Sequence, residues 1–382
     1  MIKDRAQKRM AAKFCAAQAI VPFAEVVVRS SASLEESPVD ITDIDVAGIQ
    51  YGHRGAERRI LFDCKTGKMS AINRALWVAG VARYVDAQEA YLILKKDAPY
   101  SHRLAANELC VHVHSELNFE KHASSVAPAY NYDCTYLDDM DVWDGMATVA
   151  NGVQRLQELV QFSNMAPPLE RNGPKGLRGA LAILLRAAPE IDPRKPKHIF
   201  IYSLALSAFA CFSAMTASDM KTIFQFDMTK EDFDRTARYY LWGGRDSYQM
   251  RRALKASIDH SGTPDSSIDL ELPQWPRFLN MFRSFLDAPD LLSATPYLSK
   301  EIAFRAATGS RQEPDHRLSQ MLSENKRARQ FLFQMNAYLI SAARLPKELQ
   351  DTYESLVNSV TSDGFIAAEQ SAPARTDVDR LI

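Results

Sequence analysis

Asp63-Cys64-Lys65 closes a short apolar run, Ile60-Leu61-Phe62, and Thr66-Gly67-Lys68 follows it. Upstream lies the acidic stretch Thr42-Asp43-Ile44-Asp45-Val46, with a glycine-punctuated turn between the two. These residue types suit one chemistry. Mg²⁺ takes hard oxygen ligands at about 2.0–2.1 Å and keeps several waters. Two carboxylates can hold Mg²⁺ or Mn²⁺ while phosphate oxygens complete the shell, and the metal then acidifies a bound water. A lysine two residues beyond one carboxylate can orient that water and offset charge at the attacked phosphorus. The spacing predicts phosphodiester hydrolysis, with Asp45, Asp63 and Lys65 as catalytic residues. The same residues also permit a plainer account, two half-exposed strands with solvated charges.

Strand alternation puts Asp43 and Asp45 on one face, with Ile44 and Val46 on the other. On the next strand Leu61, Asp63 and Lys65 share a face, while Ile60, Phe62 and Cys64 pack opposite. Pairing of the two strands as a hairpin in suitable register brings Asp45, Asp63 and Lys65 together on one edge of a sheet. The flanking pattern predicts the elements that must hold them. Residues 4–19 read as a helix, with Met10, Phe14 and Ala17 at helical spacing. Its Arg5, Lys8, Arg9 and Lys13 form either a solvated face or a basic edge beside a phosphate backbone. Strands are expected over 23–28, 40–49 and 59–65, with a polar loop at 30–38 and Gly48, Gly52 and Gly55 punctuating the second connection. Ser70 is placed to cap a helix over 70–85. In that helix the stripes Ile72/Leu76/Ala79 and Trp77/Val81/Tyr84 are expected to pack on the sheet. A strand over 89–94, a short helix at 102–107 and a strand at 109–114 complete an α/β unit.

Asp45 followed by Asp63-Cys64-Lys65, within this order of elements, resembles the PD-(D/E)xK nuclease superfamily. Restriction endonucleases, archaeal Holliday-junction resolvases and several defence-associated nucleases belong to it. Members often carry E-x-D-V on one strand and E-C-K-T-G on the next. Asp43-Ile44-Asp45-Val46 and Asp63-Cys64-Lys65-Thr66-Gly67 follow both, with Asp in place of Glu. The resemblance covers roughly residues 1–120. It implies a restriction endonuclease-like α/β domain, a mixed central sheet flanked by helices. It further implies Asp45 and Asp63 as metal ligands, the Cys64 main-chain carbonyl as another, and Lys65 as the catalytic lysine. Many members carry a Glu on the first helix; the matching place here holds Gln7, whose amide oxygen brings no charge. Glu25 and Asp43 are the other accessory candidates. The proline of the motif name is absent before Asp45.

The 382-residue chain carries 46 Lys and Arg against 47 Asp and Glu, so any nucleic-acid surface must be local rather than global. Five cysteines without CxxC spacing exclude a zinc ribbon or a disulfide framework and fit a reducing cytoplasm. Lys8, Arg9 and Lys13 interrupt the N-terminal apolar residues, so that stretch does not read as a signal peptide. From Asp138 onward apolar residues recur at helical spacing, with Pro-containing separators at 167–174, 188–196 and 264–276. The division expected is a nuclease-like domain over 1–125, an all-α region over 136–363 and a loose tail over 364–382. Residues 199–217 carry no charge and are long enough to be weighed as a membrane span. Ser203, Ser207, Ser213 and Thr216 favour a buried core helix instead.

Other residues carry weaker signals. His112 and His114, with Cys110, mimic a metal site but lack a fourth ligand at suitable spacing. Asp138, Asp139 and Asp141 fit a helix N-cap better than a calcium loop. Gly173-Pro174-Lys175-Gly176 is not a P-loop. Arg171, Lys175 and Arg178 could bind phosphate, as could Arg245, Arg251 and Arg252 near Trp242 and Tyr248; solvated helix faces are the plainer account. The function expected is a metal-dependent endonuclease acting on DNA, or on RNA. Its helical region would select substrate, receive a protein partner or form a homodimer, since a duplex needs two cuts. A role in phage defence or restriction is implied only by the company the superfamily keeps. The alternative is a catalytically decayed nuclease fold serving as a nucleic-acid-binding or assembly module.

Overall fold

The computed structural model describes residues 2–30, 39–51, 57–67, 69–132, 134–150, 152–225, 227–260 and 271–371, without the side chains of 258–260 and 363–371. Most of the 30–38 loop, Gly52, Gly55, Lys68, residues 264–270 of the 264–276 separator and the last eleven residues lie outside them. Five strands form one mixed sheet in sequence order: β1 (Val21–Arg29), β2 (Asp40–Tyr51), β3 (Glu57–Lys65), β4 (Glu89–Leu94) and β5 (Val111–Ser115). β2 runs antiparallel to both β1 and β3, whereas β3, β4 and β5 are parallel. Parallel neighbours need crossovers, and α2 (Ala71–Val85) and α3 (Tyr100–Asn107) supply them.

Each sheet face buries its own set of apolar side chains. Val46, Ile60, Phe62, Cys64, Tyr91 and Ile93 pack against α1 (Arg5–Ala17) and α4 (Glu116–Val126). Phe62 and Tyr91 stack at 5.1 Å between ring centroids, and Phe14 and Phe119 close around them. α1 lies close to β2 because Gly48 has no side chain: a Cβ there would sit 2.8 Å from Ile20 Cγ2 and 2.9 Å from Cys15 Sγ. The opposite face buries Ala47, Leu61, Leu92 and Val113 against α2, whose inner side is Ala71, Ala75, Val78, Ala82 and Val85. This corrects the expected orientation of α2. Small residues let the helix approach the strands, and Leu76, Trp77 and Tyr84 are turned outward and exposed. Ser70 caps α2 as expected, accepting from Asn73 N–H.

The rest of the chain is helical: α5 (Met140–Met146), α6 (Gln154–Leu169), α7 (Gly173–Ala187), α8 (Pro196–Met220), α9 (Lys230–Leu241), α10 (Arg245–His260), α11 (Trp275–Leu286), α12 (Pro289–Leu292), α13 (Thr295–Thr308), α14 (Gln312–Glu324), α15 (Lys326–Ala342) and α16 (Glu348–Ser371). Asp139 caps α5 through Asp141 and Val142 N–H. Pro167 and Pro168 fall inside the last turns of α6 rather than between helices. Backbone helix continues to Ser371, where a loose tail was expected from 364. α8 is buried from Phe200 to Ala217. By length and composition it could cross a membrane, but 94% of its most apolar window is covered by the protein. One continuous buried cluster joins the α2 side of the sheet to the helices. Asn164 of α6 donates to Ala24 O of β1 at 2.9 Å, and Lys300 of α13 lies over the Phe23 ring of β1.

Candidate active site

β2 and β3 pair from Tyr51↔Glu57 to Val46↔Phe62 and then part. Beyond that point β2 stays with β1 through Ile44 and Asp43, and β3 stays with β4 through Asp63 and Lys65. The fork lies inside the sheet, between two central strands, and not at its edge as the alternation alone suggested. The strands' parting leaves the Cys64 N–H without a ladder carbonyl. The Asp45 carboxylate takes it instead, with Oδ2 accepting at 2.8 Å. Asp45, Asp63 and Lys65 therefore meet as expected. The Lys65 ammonium stands 2.9 Å from Asp45 Oδ2 and 3.4 Å from Asp63 Oδ1, so one cation joins both carboxylates.

Two further cations complete the cluster. Lys8 reaches in from α1, 2.9 Å from Asp45 Oδ1, and also pairs with Glu25. Arg74, one turn into α2, clamps Asp63 with Nε at 2.7 Å and Nη2 at 2.6 Å. Its guanidinium also lies 3.6 Å from the centre of the Trp77 ring. Glu25 faces Asp45 across β1 and β2, flanked by the pairs Ala24↔Val46 and Val26↔Ile44. It holds a left-handed backbone, φ 54°, inside a strand. Such a conformation costs about 1–3 kcal/mol and persists where surrounding contacts enforce it.

Burial opposes charge in this cluster, and partners overcome it. Desolvation raises the Asp45 carboxyl, but the Cys64 N–H, Lys8 and Lys65 hold it below its ordinary value. Desolvation lowers the Lys8 and Lys65 ammoniums, but Glu25 and Asp45 for Lys8, and Asp63 and Asp45 for Lys65, leave both above theirs. The Cys64 thiol faces the α1 side and burial pushes it well up, so it is no thiolate ligand; only its main chain adjoins the site.

The accessory candidates separate. Gln7 is buried, donating through Nε2 to Lys65 O at 3.2 Å and to Glu116 Oε1 at 3.1 Å. Its Oε1 is a buried acceptor without a partner. Glu25 joins the cluster through Lys8, whereas Asp43 is exposed and takes no part in these ion pairs. The basic face of α1 is partly solvated, with Arg9 exposed and Lys13 over the Tyr130 ring, but three of its four cations are engaged in ion pairs. Arg5 pairs with Asp141 and Asp144, Arg9 with Asp138, and Lys8 with the cluster itself. His114 stacks on His122 at 4.8 Å, and burial pushes it down to about 4. Among the described residues, no group of three or more His, Cys, Asp or Glu side chains is arranged to hold a metal ion.

A divalent ion would find two carboxylates here, Asp45 and Asp63, both already paired with Lys8, Lys65 or Arg74. The oxygen set fits Mg²⁺ or Mn²⁺ in kind, and the two carboxylates already share one cation, the Lys65 ammonium. Sequence reasoning missed Lys8 and Arg74. The one available signal was their position, beside Gln7 on the first helix and in the first turn after the Asp63 strand. No family model matches the chain, and neither a curated protein nor a solved structure matches it.

Proposed function

We propose that the protein is a metal-dependent endonuclease that hydrolyses phosphodiester bonds of DNA, or of RNA, at the fork between β2 and β3. One observation carries the reading: Asp45 and Asp63, from strands that part, share the ammonium of Lys65. Asp45 and Asp63, with the Cys64 carbonyl, would hold Mg²⁺ or Mn²⁺. The metal, when bound, supplies an acidified water and neutralises charge at phosphorus. Lys65 stays protonated at neutral pH, so its part is to donate to a phosphate oxygen and stabilise negative charge, not to remove a proton. Cys64 N–H and Lys8 fix the Asp45 carboxylate. Arg74 presents a planar fork that suits carboxylate and phosphate alike, so a phosphodiester can take it from Asp63 and free that carboxylate.

A specific observation favours a second reading. Lys8, Lys65 and Arg74 balance Glu25, Asp45 and Asp63, which is the pattern of an ion-pair cluster in a decayed nuclease fold that binds nucleic acid or organises an assembly. Homodimerisation, a protein partner at the helical region and a place in phage defence belong to the first reading only as extensions of the resemblance. The cytoplasm remains the proposed location, in keeping with five free thiols. Incubation with single- and double-stranded DNA and RNA, under Mg²⁺, Mn²⁺ or chelator, tests the nuclease reading. It expects cleavage that the chelator abolishes; no cleavage of any substrate under either metal sinks it. Calorimetric Mn²⁺ binding that disappears in Asp45→Ala would count against the decayed fold.

A further inference from the structure

Trp242 follows α9 directly, in the turn that leads to α10, and an arginine lies near its ring from each neighbouring helix. Arg178 of α7 has its guanidinium carbon 4.8 Å from the ring centre, and Arg251 of α10 has its own at 5.0 Å. Two cations gathered at one indole repel each other. Burial and the nearby Arg251 lower the Arg178 pKa, with only Glu170 opposing. Glu170 is itself held by Lys175 at 2.7 Å. Two donors here lack acceptors: Arg178 Nη1 and Trp242 Nε1 are both buried and make no hydrogen bond. Native proteins satisfy nearly all such buried donors with protein, water or an ion.

We propose that this cluster binds a phosphomonoester dianion, carried by a free nucleotide or by the phosphorylated end of a nucleic-acid strand. The dianion matches two guanidiniums in charge, and its oxygens supply acceptors for Arg178 Nη1 and Trp242 Nε1. The same turn walls a cavity of about 470 Å³, lined by Tyr239, Tyr240, Gly243 and Gly244 with Arg171 and Asn172 just ahead of α7 and Asp219 near the end of α8. Gly243 and Gly244 form that turn with φ of 82° and 109°, a conformation that suits glycine. The site uses none of the residues at the β2/β3 fork and stands or falls independently of cleavage there.

The full-length protein is titrated calorimetrically with inorganic phosphate, adenosine 5′-monophosphate, and a short oligodeoxynucleotide bearing either a 5′-phosphate or a 5′-hydroxyl. The expected result is binding of the phosphate-bearing probes, weakened about tenfold or more by Arg251→Gln, which removes a charge-assisted contact. Arg251 is exposed, so this variant keeps the fold even if Arg178→Gln does not. Tighter binding of the nucleotide or of the phosphorylated strand identifies the source of the phosphate. Absence of binding to every probe at millimolar concentration, or undiminished binding by Arg251→Gln, overturns the proposal.

Discussion

A carboxylate that accepts one main-chain N–H and two ammoniums is held by its neighbours more than by its own strand. Asp45 is that residue, and its stabilisation depends on its charge. Its folded pKa is depressed, so its contribution is complete above the unfolded value of about 3.9 and is lost as pH falls through the folded value. Asp45→Asn should destabilise the protein by roughly 1–3 kcal/mol at neutral pH, by leaving Lys8 and Lys65 short of a partner. It should also flatten the acid limb of melting temperature against pH; an unchanged acid limb would contradict this. At this scale the sequence exposed Asp45, Asp63 and Lys65 through residue type and spacing, although strict alternation failed at Ile44 and Val46, expected on one face and packed into different buried clusters. Lys8 and Arg74 escaped it because helix-borne partners depend on how α1 and α2 sit on the sheet. Glu25 entered only as an accessory, since its left-handed backbone leaves no mark in the residue pattern.

Elements were legible where period and caps agreed. β4 runs over the expected residues, Ser70 caps the helix it was assigned to, and Asp139, one of three aspartates read as an N-cap, caps α5. α4 was missed because its buried residues, Phe119 and Ala123, form too thin a stripe to register. The rotation of α2 was missed because its sheet-facing side is mostly alanine, so its larger residues misled the choice of face. Close helix contacts also escape a sequence. Gly176 of α7 faces Phe212 of α8, where a Cβ would fall 2.2 Å from the ring. Gly176→Ala should therefore lower stability by about 1–3 kcal/mol, visible as a reduced melting temperature. An unchanged melting temperature would show that α7 and α8 can separate freely.

Across the whole molecule, the sheet and the helices share one core, which the composition change near Asp138 did not reveal. Lys300 lies at that junction, 1% exposed and set against Phe23 and Trp143. Burial pushes its ammonium from 10.5 down to about 7. Between those values the unfolded chain binds the extra proton, so stability rises with pH across that window. Such a shift amounts at most to on the order of 5 kcal/mol, and attraction to the two rings offsets part of it. Lys300→Met should be more stable at neutral pH and lose that alkaline rise, as denaturant melts at several pH values will show. The fork between β2 and β3 carries the functional claim for the molecule. Its most direct measurement is the metal-dependent rate of phosphodiester cleavage by wild type, Asp63→Ala and Lys65→Ala, with folding of each checked by circular dichroism. The prediction is Mg²⁺- or Mn²⁺-dependent cleavage by wild type that falls by about a hundredfold or more in each variant. Cleavage at equal rates by all three, or by none, contradicts it.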